Sequence, residues 1–165
     1  MGHKFGYYSI PLPLDEVWNR TLTFWTNNRG KIKDQQFENN NFFRTLAIQR
    51  GISATSYGET YQMNFGYNPK ESMTYVSVEI SLSLGYGMAW LKPQGIMKKW
   101  ALEIGTSPMK LVRSADKKFY EILNDIKNSS IQPQVSSLKK YCHNCGYENQ
   151  ISDNYCKQCG TKLIN

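Results

Sequence analysis

The chain has 165 residues, enough for one ordinary domain and a small appendage. Hydrophobic residues make up 40% of it and aromatic residues 13%, which excludes an intrinsically disordered chain. The formal net charge is +7 at pH 7. No segment approaches the roughly 20 apolar residues of a membrane span, and residues 1–10 contain no apolar signal core, so we expect a cytoplasmic protein without a transmembrane segment.

The first clear pattern in the chain is an amphipathic helix. The side chains of one face recur at intervals of three and four residues, at Leu14, Val17, Trp18, Thr21 and Trp25. Gly30 follows the stripe and is a suitable stop for the helix.

Alternating apolar and polar residues predict strands in the middle of the chain. The pattern is seen over residues 42–50 and again at Tyr61, Met63 and Phe65. It is cleanest after the turn signal at residues 68–72, where one face carries Val76, Val78, Ile80 and Leu82. Serine and glutamate side chains alternate with these four residues, so we expect an antiparallel sheet with one face exposed to water.

Two further helices are predicted after the strands. Pro93 can open the first of them, whose apolar stripe ends at Gly105. Ser107 can cap the next helix, and Pro108 fits its first turn. The two apolar stripes consist of Ile96, Met97, Trp100, Ala101 and Ile104, then of Val112, Ala115, Phe119, Ile122, Leu123 and Ile126.

This order of a strand, a helix, a meander of strands and C-terminal helices predicts the α+β class. We expect a curved antiparallel sheet with the helices packed on its one apolar face. Residues 128–138 are polar, contain proline and have no helical or alternating period, so they predict a flexible linker. The α+β domain then covers residues 1–127, and residues 139–165 form a separate small unit.

Residues 5–127 resemble small members of the helix-grip superfamily, which includes START-like and polyketide-cyclase-like proteins. The resemblance is carried by the sequence Ile-Pro-Leu-Pro-Leu-Asp-Glu-Val-Trp at residues 10–18, by residues 56–59 before a strand, and by a closing helix. It implies an apolar small molecule held between the sheet and the last helix. The expected cavity is lined by Val78, Ile80, Phe119 and Leu123, and the short strand count and doubled C-terminal helix reduce its size.

The last quarter of the chain holds four cysteines in two Cys-x-x-Cys pairs, Cys142 with Cys145 and Cys156 with Cys159. Glycine follows each pair and adopts without strain the positive φ that a tight turn around a metal commonly needs. Four thiolates at this spacing complete the tetrahedral coordination of one zinc ion and leave no position for a catalytic water. We therefore predict one structural zinc ion and, because so short a unit cannot bury a useful core, folding that depends on it.

Two alternatives compete with a four-cysteine zinc site. Two disulfide bonds would suit a secreted chain, but nothing else in the sequence indicates secretion. His143 could replace one cysteine as a ligand, although four sulfurs already complete the site. Residues 141–163 resemble the short zinc-ribbon tails of many bacterial and archaeal proteins. Such ribbons serve nucleic-acid binding, protein docking and structural capping alike, so the resemblance implies the metal and leaves the partner open.

Most of the positive charge lies in residues 92–118, which contain seven Lys or Arg residues and two acids. The candidate contacts to an anion or a nucleic acid are Lys98, Lys99, Lys110, Arg113, Lys117 and Lys118. On the predicted third helix, Lys110, Arg113 and Lys117 share one outer stripe, which suits a phosphate backbone or an anionic membrane. The alternative is that all six are ordinary solvated side chains.

The sequence gives no evident catalytic site. One histidine is close to the amino terminus and the other lies inside a cysteine pair, so a nucleophile has no evident imidazole base. Glu59 and Glu79 lie on predicted strands and could approach each other, but facing carboxylates are common on a polar sheet face. We therefore expect a protein that is not an enzyme.

Three functions are consistent with these features. The first is an adaptor whose zinc ribbon docks on an unidentified protein or nucleic acid and is tethered to the α+β domain. The second is nucleic-acid binding through the basic residues at 92–118. The third is a carrier or sensor of an apolar small molecule.

Overall fold

The computed structural model describes residues 3–38, 42–51, 58–82, 91–129, 139–142, 144–145, 147–150 and 155–163. The chain forms two compact units, Met1–Ser129 and Ser130–Asn165. Within the described ranges, no helix is long and apolar enough to span a lipid bilayer.

The first unit is an α+β domain, as predicted. Its elements are β1 (His3–Ile10), α1 (Leu14–Asn27), β2 (Lys31–Glu38), β3 (Phe43–Arg50), β4 (Glu59–Asn68), β5 (Met73–Leu82), α2 (Leu91–Ile104) and α3 (Lys117–Asn128). The five strands form one antiparallel sheet in the order β1-β5-β4-β3-β2. The second unit contains a small antiparallel hairpin of β6 (Lys139–Tyr141) and β7 (Glu148–Gln150).

The main core lies between one face of the sheet and helices α1 and α2. The predicted stripe of α1 is buried, and Trp18 and Trp25 contact Phe65 and Tyr61 of β4 with ring centroids 5.2 and 4.6 Å apart. Trp100 of α2 is wholly buried in the same layer. The pattern at intervals of three and four residues therefore identified both helices that cover this face.

The two helices of this layer are joined by polar and aromatic contacts. The indole Nε1 of Trp100 donates a hydrogen bond to the Thr21 hydroxyl over 3.1 Å. The Trp100 ring also meets Tyr8 of β1 edge to face, with centroids 4.9 Å apart. The Thr21 hydroxyl also donates to the Val17 carbonyl of its own helix over 2.7 Å, so this one polar member of the α1 stripe is satisfied inside the core.

Strand β2 is an element that the sequence patterns did not predict. Six of its eight residues are exposed, and Ile32 and Phe37 are its only large apolar side chains. The strand forms the outer edge of the sheet next to β3, and its register shifts between Ile32 and Asp34. Ile32 packs against the main core and Phe37 contacts Trp18, but the other residues of this edge strand are polar, so it has no regular alternation to detect.

Helix α3 begins later than predicted. The sequence suggested a start near Ser107, but residues 105–116 are not helical. Leu111 is buried in the main core, and the neighbouring Val112 exchanges two backbone hydrogen bonds of 2.9 Å with Phe5. The Gln94 side chain also accepts from the Leu111 N–H over 3.0 Å. These long-range contacts hold the segment extended and override its local helical pattern.

The helix itself starts at Lys117 with a side-chain cap. Asp116 is in an extended conformation, and its carboxylate accepts a hydrogen bond from the Phe119 N–H. This satisfies one of the free N–H groups of the first turn, as an acidic cap usually does.

Helix α3 lies on the opposite face of the sheet from α1 and α2. The Phe119 ring is 5.0 Å from Tyr7 and 5.8 Å from Tyr75, and these tyrosines alternate along their strands with core residues. The class and the antiparallel sheet are as predicted, but only two helices share the expected apolar face. Helix α3 covers only part of this second face: Ser77 is wholly buried, whereas Gln62 on the same face is exposed to water as predicted.

Gly66 provides the space that α3 needs to approach the sheet. A Cβ atom at this position would lie 2.9 Å from Leu123 Cδ2 and 3.2 Å from Ile126 Cδ1. We expect Gly66→Val to lower the free energy of unfolding by about 1–3 kcal/mol through overpacking, although valine favours strands. Denaturant unfolding of the full chain measures this loss.

Gly95 is the matched control for that substitution. It lies within α2, and a Cβ there meets nothing within 4 Å. Gly95→Ala should therefore raise the free energy of unfolding by up to about 1 kcal/mol through helix propensity. Equal effects of the two substitutions would contradict the close approach of α3 at Gly66.

Candidate metal centre

Each cysteine pair lies in a tight turn closed by backbone hydrogen bonds. In the first turn, which follows β6, the Cys142 N–H donates to the Tyr147 carbonyl over 2.9 Å. In the second, the Cys156 N–H donates to the Thr161 carbonyl over 2.8 Å. Gly160 adopts a φ of +71° in this turn, as the sequence suggested. The two turns are equivalent, since the acceptor is the second residue after the last cysteine in both.

The two turns bring all four cysteine sulfurs together. Their Sγ atoms lie within 4.8 Å of one another. The Cys142 and Cys159 sulfurs are 3.6 Å apart, and so are those of Cys145 and Cys156. Four sulfurs at about 2.3 Å from a central zinc ion would be separated by about 3.8 Å. The arrangement therefore fits one tetrahedral zinc ion.

The alternatives to a four-cysteine site do not fit this geometry. All four cysteines are free. The separations of 3.6 Å are far longer than the roughly 2.05 Å of a disulfide bond. His143 lies outside the described residues, and four sulfurs already complete the tetrahedron.

Polar groups around the sulfurs stabilise their negative charge. The Gln158 N–H points at the Cys156 sulfur over 3.4 Å, and the Thr161 Oγ1 lies 3.2 Å from the Cys159 sulfur. The Asn144 side-chain amide contacts both that sulfur and the Thr161 hydroxyl. Such groups around a metal orient its ligands and tune their basicity. The cysteine spacing did not predict a role for Asn144 or Thr161, although the repeat of the two turns marks the position of Thr161.

These contacts lower the pKa of one cysteine thiol and raise that of another. Hydrogen bonds with Thr161 are the main cause that lowers the pKa of the Cys159 thiol to about 5. A backbone hydrogen bond with Tyr147 lowers the pKa of the Cys145 thiol, but desolvation and hydrogen bonds with the other three sulfurs together raise it to about 12. Negative charge is therefore favoured first at Cys159.

The described part of the ribbon has a very small core. Cys142, Cys156 and Leu163 are buried together, whereas Cys145 and Cys159 are exposed. Burial of so few apolar atoms cannot offset the entropy of ordering the chain. Metal coordination must then supply the folding free energy, which is roughly 10–16 kcal/mol in zinc-finger peptides.

A family comparison agrees with this geometry. Residues 141–163 match the model of the zinc-ribbon domain. This part of the chain is a zinc-ribbon domain. Its four clustered cysteines support one structural zinc ion. No curated protein matches the chain.

Several solved structures align with about three fifths of the chain. An uncharacterised protein from Bacillus thuringiensis is 12% identical, with a TM-score of 0.33 over 62% of this chain and 96% of that one. XoxI from Bacillus cereus is 13% identical, with a TM-score of 0.34 over 63% and 93%. A protein from Thermus thermophilus is 10% identical, with a TM-score of 0.28 over 62% and 90%. Likenesses at this level carry no inference about function.

The candidate anion contacts do not form the predicted helical stripe. Lys98 and Lys99 are exposed on α2. Lys110 and Arg113 are exposed in the extended segment before α3, and Lys117 opens that helix together with the next residue, Lys118. Because α2 and α3 cover opposite faces of the sheet and the segment between them pairs with the edge strand β1, the six cations are divided among three parts of the domain.

The four residues expected to line a ligand cavity do not lie together either. Val78 and Ile80 are wholly buried in the core under α1 and α2. Phe119 and Leu123 lie on α3 at the other face, where Leu123 is beside Gly66. The sheet separates the two pairs because residues 78 and 80 of β5 point away from α3.

The two candidate catalytic carboxylates are likewise separated. Glu59 is buried on the side of the main core, where it accepts from the Tyr61 hydroxyl over 2.6 Å and pairs with Arg50. Glu79 lies on the opposite face of the sheet and pairs with His3. Each carboxylate has its own partner, and the two cannot act on one substrate.

The zinc site predicts a specific effect of removing one ligand. We expect Cys156→Ser to reduce the zinc content from one ion per chain to none, because a hydroxyl is a poor zinc ligand. Native mass spectrometry measures the content. Thermal unfolding of Met1–Ser129, a separate compact unit, should be unchanged. Gln158→Ala is the control, since it retains the backbone N–H that points at the Cys156 sulfur. Full zinc content in Cys156→Ser would contradict the site.

Thr161 predicts a graded effect on zinc affinity. Thr161→Val keeps the shape of the side chain but removes the hydroxyl beside the Cys159 sulfur, so affinity should fall about tenfold or more. Thr161→Ser keeps the hydroxyl and should bind zinc as the unaltered chain does. Competition with a chromogenic chelator measures both affinities. Equal affinities for the valine and serine variants would show that the hydroxyl does not stabilise the metal-bound state.

Proposed function

We propose that the protein is a non-enzymatic, cytoplasmic adaptor whose zinc ribbon docks on another macromolecule. In this proposal the α+β domain is joined to the ribbon through the segment that follows Ser129. The observation that carries it is the exposure of two aromatic side chains on the ribbon, Tyr147 at 44% and Tyr155 at 60%.

The exposed tyrosines support docking because the ribbon's own core does not use them. That core consists of Cys142, Cys156 and Leu163 in the described residues. Large aromatic residues are enriched in the centres of protein interfaces, where they bury much area with few rotatable bonds. Two exposed rings on so small a unit are therefore better explained by a partner than by stability.

The charge of the ribbon favours a protein partner. From residue 139 onward the chain contains four lysines and two acids, and a divalent zinc ion with four thiolates contributes a charge of −2. The ribbon is thus about neutral. Nucleic-acid affinity that is independent of sequence comes mainly from excess lysine and arginine, which this unit lacks.

The chemistry of the described sites supports a role without catalysis. The four sulfurs fill the coordination sphere of zinc and leave no position for a substrate or an activated water. Glu59 and Glu79 lie on opposite faces of the sheet, so they do not form an acid-base pair.

Affinity capture from cells of the protein's own source tests the docking role. We compare the tagged full chain with the double variant Tyr147→Ala, Tyr155→Ala, which retains all four zinc ligands. The double variant should hold one zinc ion but lose most of the partner that the unaltered chain retains, and Cys156→Ser should lose it as well. Quantitative mass spectrometry of chemically cross-linked samples measures the retained partner.

Two controls make this test decisive. Tyr75→Phe alters an exposed hydroxyl of the α+β domain and should leave the partner bound, since that residue is outside the ribbon. Nuclease treatment should also leave it bound. Equal capture by the unaltered chain and both ribbon variants would refute docking through the ribbon, and loss on nuclease treatment would favour nucleic-acid binding instead.

A further inference from the structure

Strand β1 is one edge of the five-stranded sheet, and part of its outer side is open. Its inner side pairs with β5 over the whole strand. On the outer side, Phe5 exchanges both of its backbone hydrogen bonds with Val112. Because backbone groups alternate in direction along a strand, those of Tyr7 and Ser9 also point outward. Among the residues that the structure describes, no backbone group pairs with them.

A cleft of about 770 Å³ opens at this unpaired stretch. Its walls include Tyr7, Ser9, Ser107, Met109, Val112 and Phe119. Met109 and Val112 are exposed apolar side chains, with 46% and 43% of their surface open to solvent. We call this region the β1 cleft. It combines free strand-pairing groups with apolar walls, which is the requirement for binding an extended peptide by strand addition.

The charge around the β1 cleft indicates the kind of peptide. Residues 106–119, which supply most of its wall, contain four cations and one acid; the acid, Asp116, lines the cleft itself, and the cations stand next to lining residues in the sequence. The cations are Lys110, Arg113, Lys117 and Lys118, and all are exposed. The acid, Asp116, already caps α3 by accepting from the Phe119 N–H. Glu79 on the neighbouring strand is paired with His3.

We propose that the β1 cleft binds an extended acidic segment of a partner protein, which adds to the sheet as a strand beside Tyr7 and Ser9. The backbone groups of these two residues pair with the segment, and Met109 and Val112 contact its apolar side chains. Lys110 and Arg113 attract its acidic side chains. This surface belongs to the α+β unit, so the proposal is independent of docking through the zinc ribbon.

A peptide titration with the full zinc-loaded chain tests the proposal. The probe is a fluorescein-labelled heptapeptide of alternating glutamate and valine with blocked ends, and its counterpart has lysine in place of glutamate. We expect the acidic peptide to bind at least tenfold more tightly than the basic one, with an affinity that falls as salt is added. Fluorescence anisotropy measures both. A preference for the basic peptide, or no binding of either, would overturn the proposal.

Two variants of Ser9 test the strand pairing itself. Ser9→Pro removes one outward N–H but leaves the ladder with β5 intact, because edge strands tolerate proline at such positions. The loss of one hydrogen bond and the added bulk of the proline ring should lower the affinity for the acidic peptide about tenfold. Ser9→Thr keeps the N–H and should bind normally. Equal affinities for the two variants would refute strand addition.

Amide hydrogen exchange and charge reversal complete the test. In the free chain the Tyr7 and Ser9 amides should exchange quickly, and the acidic peptide should slow both in nuclear magnetic resonance spectra. Protection confined to another surface would refute the site. If Ser9→Pro does not fold, the double variant Lys110→Glu, Arg113→Glu replaces it and should bind the acidic peptide at least tenfold more weakly. If duplex DNA displaces the peptide and Ser9→Pro has no effect on peptide binding, these cations bind phosphate groups instead and strand addition is refuted.

Discussion

The antiparallel bridge between Phe5 and Val112 determines how the last third of the α+β unit is arranged. Two backbone hydrogen bonds of 2.9 Å hold the chain against the outer edge of β1 after it leaves α2. From that edge the chain passes to the other face of the sheet, where α3 packs on Tyr7, Tyr75 and Gly66. The same bridge uses only part of the edge, which leaves the β1 cleft beside it. The second layer and the proposed peptide site thus have one structural origin.

The zinc ribbon depends on a different constraint. Its described core of Cys142, Cys156 and Leu163 is too small to stabilise a fold, so the order of the unit comes from metal coordination. Because the ligands are four sulfurs in two equivalent turns, the metal closes the unit without forming a catalytic site. Side chains such as Tyr155 are then available for contacts with other molecules.

The two units offer chemically different surfaces. The ribbon is close to neutral and presents exposed aromatic rings, whereas the segment that supplies most of the wall of the β1 cleft carries the exposed cations Lys110, Arg113 and Lys117. In the proposed adaptor, a partner of the ribbon is selected by shape and aromatic burial, and a partner of the cleft by charge and backbone pairing. An adaptor with two such surfaces can bring together two molecules that do not resemble each other.

By itself, the sequence determined the features that depend on local spacing: helices α1 and α2, strands β3 to β5 and the four zinc ligands. Side chains at intervals of two, three or four residues share a face whatever the rest of the chain does, and two Cys-x-x-Cys pairs can converge on one ion. Only the tertiary structure decided the start of α3, its position on the second face and the edge strand β2. These depend on pairings such as that of Phe5 with Val112, between residues far apart in the chain, and such contacts override local propensity without leaving a periodic signal.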